Sequence, residues 1–290
     1  MFATATITAA CGGDDGGGTK TDAAVDVGFN KPAGKLVANS GNQAMGDVDL
    51  TSCATDAATT AEISLTTKVV DFQNQTPVPS ATVTAFQNID VGTAFATATS
   101  DGTTGNITMT IPTGTKRYGF KMTADGQFPT LLLNQYFADG TTAAQMDPTT
   151  IQSVSNSTAQ LLPAIIGQTR TAGTGVVAGA LRDCNRHEIS NFVATVSSTS
   201  QKYTPLAGES AFYFSLDPEL PVHHTQAESA AANGLFMVIQ VPATDVAYVQ
   251  AWGFPTDADV TGGEMKLISE LKAPVIGDTV VTGSFEPIHN

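Results

Sequence analysis

Between Ala61 and Val70 the chain alternates. Ile63, Leu65, Thr67 and Val69 fall on one side, and Glu62, Ser64, Thr66 and Lys68 on the other. Successive side chains of a strand point to opposite faces, so this period of two describes a strand with one face in a core and the other in water. The pattern returns after each turn signal. Ala81, Val83 and Ala85 follow the turn at Asn74 to Pro79, and Ile107, Met109 and Ile111 follow Ser100-Asp101-Gly102. Tyr118, Phe120 and Met122 follow Pro112-Thr113-Gly114. Asp-Gly supplies a positive φ, and proline closes a strand by withdrawing a ladder donor. Short alternating strands with such punctuation predict an all-β sandwich.

The second half repeats the order of events. GVVAGALRD from Gly175 echoes AEISLTTKVVD from Ala61, and NGLFMVIQVP ending at Pro242 echoes TGNITMTIP ending at Pro112. GFPT at Gly253 echoes GQFPT at Gly126. Three matches in one order predict an internal repeat. A chain of 290 residues has room for two ordinary domains. The expected organisation is a first sandwich over 59–138, a helical connector over 139–172, and a second sandwich over 173–290 with an insertion at about 203–228. In the connector, Asp147-Pro148 reads as an N-cap and first helical residue. Ile151, Val154, Thr158, Leu161, Leu162 and Ile165 follow at helical spacing, with Pro163 near the end.

The opening MFATATITAACGGDDGGGTKTD is a short run of apolar and small residues that gives way at Cys11 to glycine and aspartate. Thr8, Ala9, Ala10 and Cys11 resemble the lipobox of a bacterial lipoprotein signal. That resemblance implies cleavage before Cys11 and a diacylglyceryl anchor on its thiol. The segment departs from the family in having Thr8 where leucine is usual and no Lys or Arg before Cys11. Residues 1–11 therefore read as a truncated signal. Residues 12–58, rich in Gly, Asp, Ala and Asn, read as a disordered tether. A Gly-rich coil of about 40 residues has a root-mean-square span near ~35 Å, enough to hold a folded body off a membrane.

Asp71, Pro79 to Ala85, Thr99 to Gly105 and Pro112 to Gly114 together resemble the carboxypeptidase-regulatory-like and collagen-adhesin B-type family. The second copy is looser, with Asn233-Gly234 in place of Asp-Gly and Ala243-Thr244 after Pro242. The resemblance implies two tandem seven-stranded, transthyretin-like sandwiches, and the helical spacing of the connector adds one short α-helix between them. Such modules act as structural, adhesive or accessory domains.

Thirteen Lys and Arg against 27 Asp and Glu leave a net charge of −14, which repels nucleic acid and anionic lipid surfaces. No apolar stretch approaches the roughly 18 to 20 residues of a membrane-spanning helix. GESAF around Ser210 lacks the last glycine of a nucleophile elbow, and GTGVVAG at Gly173 enters a strand and not a phosphate-binding helix. Neighbouring residues of a strand face opposite ways, so His223 and His224 do not form a metal pair. No metal or cofactor is expected. Cys53 and Cys184 are a candidate disulfide of an oxidising compartment, the alternative being two buried thiols. Tyr203, Phe212, Tyr213, Phe214, His223 and His224 are candidate ligand contacts in the insertion; the alternative is that its aromatics line the core of a longer hairpin. The reading is a non-catalytic lipoprotein of the bacterial cell envelope, structural or adhesive, with a glycan or envelope protein as partner. An accessory module of an envelope enzyme or transport complex is the first alternative, and a hydrolase built on Ser210 or the histidines is the second.

Overall fold

The computed structural model describes residues 31–53, 56–137, 150–223 and 225–288. Cys11, Asp147-Pro148 and His224 lie outside the described residues. Among the described residues the fold is all-β with two short helices. Strands β1 (Val37–Ser40) and β2 (Gln43–Gly46) come first. The first sandwich follows with β3 (Ile63–Asp71), β4 (Thr82–Gln87), β5 (Ala94–Thr99), β6 (Asn106–Ile111), β7 (Tyr118–Thr123), β8 (Gln127–Phe128), β9 (Thr130–Gln135) and β10 (Ile151–Ser155). Helix α1 (Asn156–Ile165) leads into β11 (Thr174–Ala180), β12 (Glu188–Ser190), β13 (Phe192–Ser197), β14 (Ser210–Tyr213), β15 (Leu235–Pro242) and β16 (Thr244–Gly253). Helix α2 (Asp257–Gly262), β17 (Lys266–Val275) and β18 (Val280–Gly283) complete the second.

The alternation that marks these strands sorts their side chains. Leu65, Val69, Ile107, Met109, Ile111, Phe120 and Met122 meet in the core of the first sandwich, between the sheet β6-β3-β10-β8 and the strands β5-β4-β7-β9. In the second sandwich, β14-β15-β11-β18 face β13-β16-β17 across a core containing Val177, Phe192, Val238, Val249 and Phe285.

The repeat seen in the sequence has a structural counterpart. Strand β3 lies between antiparallel β6 and parallel β10, and β11 lies between antiparallel β15 and parallel β18. Asp71 ends β3 by accepting the backbone N–H groups of Gln73 and Asn74, and Asp183 accepts those of Asn185 and His187 after β11. Gly105 and Gly234 both have positive φ. A Cβ would lie 2.6 Å from the Val69 carbonyl oxygen at the first and 2.8 Å from that of Leu181 at the second, so both sites require glycine. Asn233-Gly234 therefore corresponds to Thr104-Gly105, not to Asp101-Gly102.

The sandwiches are not beads on a string. Strand β18 runs parallel to β9, pairing Val280 with Thr130 through Gly283 with Leu133, and fuses two half-sheets into one of eight strands, β14-β15-β11-β18-β9-β7-β4-β5. Leu131 and Leu133 enter the second core while Leu132 enters the first. Side chains alternate across a strand, so the two sandwiches stand on opposite faces of the shared sheet.

Three expectations are corrected. Residues 31–53 are not tether: β1 pairs with β12, Leu36 is fully buried, and its N–H donates to the Phe254 carbonyl at 2.8 Å. Leu36 and the strand pairing of Val37 to Asn39 outweigh the polar composition around them. The connector helix begins at Asn156 with Ser155 as N-cap, while Ile151 and Val154 belong to β10, because pairing with β3 and β8 takes that segment first. Helix α2, outside the expected single helix, is built by a capping box in which Thr256 and Asp259 satisfy each other's backbone N–H.

Cys53 is bonded to Cys184, with Cα atoms 4.4 Å apart, and the Cys184 N–H donates to the Asp49 carbonyl at 2.9 Å. The bond spans 131 positions and encloses the whole first sandwich. Closing so long a loop limits the unfolded chain and is worth about 4–5 kcal/mol in the chain-entropy picture. Urea unfolding of the oxidised protein and of a Cys53→Ser/Cys184→Ser variant is expected to differ by about 2–5 kcal/mol. Equal midpoints would show that the bond adds nothing to the docked arm.

Candidate functional site

Because the sandwiches occupy opposite faces of the shared sheet, the second leaves one face of its half-sheet outside its own core. Val176, Met237, Ile239 and Val280 project there, meeting Phe128, Phe212 and Phe214. Ala159 of helix α1 and Ile166, its C-cap, cover part of this face. The helix is fixed at its start, where the Ser155 hydroxyl accepts from the Thr158 N–H at 3.1 Å and the Thr158 hydroxyl donates to Gln73 at 2.9 Å, beside the end of β3.

The part α1 leaves open is a groove of about 290 Å³. Its floor carries Ala178 and Ala180 of β11 and Met237 of β15; its walls are Leu162 and Pro163 of α1, Phe72 beyond β3, and Phe214 beyond β14. Small outward side chains on β11 create the hollow. Gly179, between the two alanines, serves the other face, where a Cβ would lie 2.4 Å from the Phe285 ring. Of the residues lining the groove, Arg182 alone is charged, and its Nε donates to Glu188 at 3.2 Å.

Two polar clusters lie elsewhere in the fold. Arg117, at the start of β7, binds Asp56 through Nε and Nη2 and Glu286 through Nη1 at 2.7 Å, and its guanidinium lies 4.0 Å over the Tyr136 ring. Burial, with Glu286 beside it, pushes the Tyr136 hydroxyl up to about 12. Every polar group here is spent on another part of the chain, which makes the cluster a clamp across the joint. The second cluster closes the outer edge of β13. The Ala194 N–H donates to the Tyr213 hydroxyl at 2.9 Å, the Val196 N–H to Glu209 at 3.0 Å, and the Thr195 hydroxyl to Glu209 at 2.6 Å. These side chains stand where a neighbouring strand would otherwise pair.

That arrangement revises the expected binding loop. Phe212 and Tyr213 are buried, one in the cluster under α1 and the other in the second core, and so they do not present themselves to a ligand. Tyr203 packs edge-on against Trp252, with centroids 5.9 Å apart. Phe214 is brought to the groove wall. His223 is exposed in a turn, its Nδ1 3.2 Å from the Thr225 hydroxyl. Ser210 opens strand β14 and has no helix behind it. Among the described residues, no three His, Cys, Asp or Glu side chains come together as metal ligands, and no helix is long and apolar enough to cross a membrane. Of the groove residues, the sequence points to Phe214 as a ligand contact and to Leu162 and Pro163 as helix, but not to Phe72, Ala178 or Met237. The available signal was Ala178-Gly179-Ala180 inside a strand, since glycine there marks a close approach or a bend.

No family model matches the chain, and no curated protein matches it. Among solved structures it is similar to shaft pilin SpaA from Lactobacillus rhamnosus GG, at 11% identity over 80% of this chain and 99% of the pilin, with a TM-score of 0.22. A variant of that pilin aligns at 10% identity over 79% of this chain and 100% of its own, with a TM-score of 0.23. At such scores the chains do not superpose as wholes.

Burial pushes the Glu209 carboxyl up to about 7, against the opposing pull of Thr195 and Val196. A folded-state value above the unfolded one means that the native protein binds the extra proton. The stability this lends is present below about pH 4.5 and is lost as pH rises through about 7, by roughly 3 kcal/mol. Glu209→Gln removes the titration. The stability difference between variant and wild type, measured by urea unfolding at steps from pH 5 to pH 8, is expected to shift steadily in the variant's favour; a difference independent of pH would contradict the assignment.

Proposed function

We propose that this chain is a non-catalytic module of the bacterial cell envelope, tethered by lipid at Cys11, in which two β-sandwiches held as one body do structural or adhesive work. The observation that carries the reading is the shared sheet. An enzyme needs a polar constellation aimed at a reacting atom, whereas here the Arg117 and Glu209 clusters are turned inward to hold strands together. A disulfide enclosing a whole sandwich suits an exported protein. The resemblance to carboxypeptidase-regulatory-like modules agrees with this and rests on the sequence motifs alone. A glycan or an envelope protein is the expected class of partner.

The test is fractionation of cells expressing the full-length gene with labelled fatty acid in the medium. The proposal expects label and membrane association in the wild type and loss of both in Cys11→Ser. Wild-type protein that is soluble and unlabelled would overturn the anchor and leave a freely secreted module.

A further inference from the structure

We propose that one end of the first sandwich binds a neutral glycan, held by side chains around Asp71 and against the rings of Pro77 and Pro79. The cleft there encloses about 820 Å³ between the turns after β3 and β7 and the start of α1, within the ~300–1,000 Å³ of ligand sites. The repeat supplies a filled counterpart. Asp71 and Asp183 occupy the same position, since Val78 N–H donates to the Val69 carbonyl as Ile189 N–H does to that of Leu181. In the second sandwich the N-terminal arm occupies this end: Asp183 Oδ2 accepts the Asp49 N–H at 3.3 Å, and β1 pairs with Glu188 to Ser190. The residues of the first sandwich that match Glu188 and Ser190 are Pro77 and Pro79, which have no N–H to offer a strand. An extended peptide therefore has no ladder to join here, and among the described residues the end stays open.

What the cleft offers instead is side chains. Asp71 is 5% exposed and its Oδ1 accepts the N–H groups of Gln73 and Asn74, while its Oδ2 has no partner among the described residues. The amide oxygens of Gln73, Asn74 and Gln127 accept from Thr158, Thr76 and Ser153, which fixes each amide and leaves its NH2 unspent among the described residues. Donors and acceptors side by side match a hydroxyl, which is both; a Lys or Arg side chain would use the acceptors alone. Asp71 and Asp125 are the charged groups among the described lining residues, with no Lys or Arg beside them, so an anionic ligand is repelled. The exposed proline rings give the C–H face of a sugar an apolar wall. The inference rests on the adhesive reading for its class of partner; its failure would remove this site and leave the anchored structural reading to the fractionation test.

The experiment titrates the full chain with maltotriose, cellotriose, chitotriose and mannotriose while its amide signals are followed by NMR, with sialyllactose and trilysine as charged probes. The expected result is saturable binding of at least one neutral trisaccharide, with shifts at the amides of Asn74, Thr82 and Asp125 and none at Val249 or Lys272 of the second sandwich. The charged probes bind more weakly. Asp71→Asn exchanges the unspent Oδ2 for a donor and weakens the bound trisaccharide by about tenfold with the urea midpoint kept. If Asp71→Asn fails to fold, Asp125→Ala serves instead, with the same loss expected; Asp125 is exposed on the turn between β7 and β8, its carboxylate unbonded among the described residues. Absence of saturable binding by every neutral trisaccharide, tighter binding of either charged probe at these amides, shifts confined to the second sandwich, or an affinity untouched by the substitutions would overturn the proposal.

Discussion

The parallel pairing of β18 with β9 is the contact on which the rest of this architecture depends. Val280 N–H donates to the Pro129 carbonyl at 2.9 Å and Ser284 N–H to that of Leu133 at 3.3 Å, so the last strand of the second sandwich completes a sheet begun in the first. Neither half-sheet then has a free edge at the joint. The offset of the two cores follows from the same contact, because β9 sends Leu132 one way and Leu131 and Leu133 the other. So does the groove, which is the uncovered remainder of a face that the offset leaves outside the second core.

The joint is reinforced from both ends of the chain. On the N-terminal side, residues 31–53 cross to the second sandwich before the chain enters the first, and the Cys53–Cys184 bond locks that crossing. On the C-terminal side, Glu286 follows β18 and meets Arg117 of the first sandwich. Such pairs are worth more when partly withdrawn from water, and the side chains of Arg117 and Glu286 are 13% and 17% exposed. A chain with few charges has placed several of them where its two halves meet.

How much of this was legible in the sequence depended on the range of the interaction. The strands of the first sandwich follow from local alternation and from Pro and Gly at their ends, and the all-β class follows from them. The joint was not legible, because nothing local in VVTG at Val280 names a parallel partner in the other half. The docked arm was hard to see because its apolar run, Leu36-Val37-Ala38, is only three residues long in a polar stretch. Ile151 and Val154 suit a helical period as well as a strand, and only pairing with β3 and β8 decides between them. In the candidate site, Phe214 came from the aromatic run of the insertion, but Phe72 follows β3 while Ala178 and Arg182 lie on and just after β11, two segments that only the tertiary fold brings together. Phe212 and Tyr213 were drawn to attention by the property that buries them, their large apolar surface.

Native-state hydrogen exchange at the joint tests the central claim most directly. If the two sandwiches form one body, the amides of Val280 and Ser284 exchange only in the same opening that releases core amides such as those of Val69 and Val177, with the same free energy and the same dependence on denaturant. Joint amides that exchange through a smaller opening while both cores stay protected would contradict the account and leave two independent sandwiches on a linker.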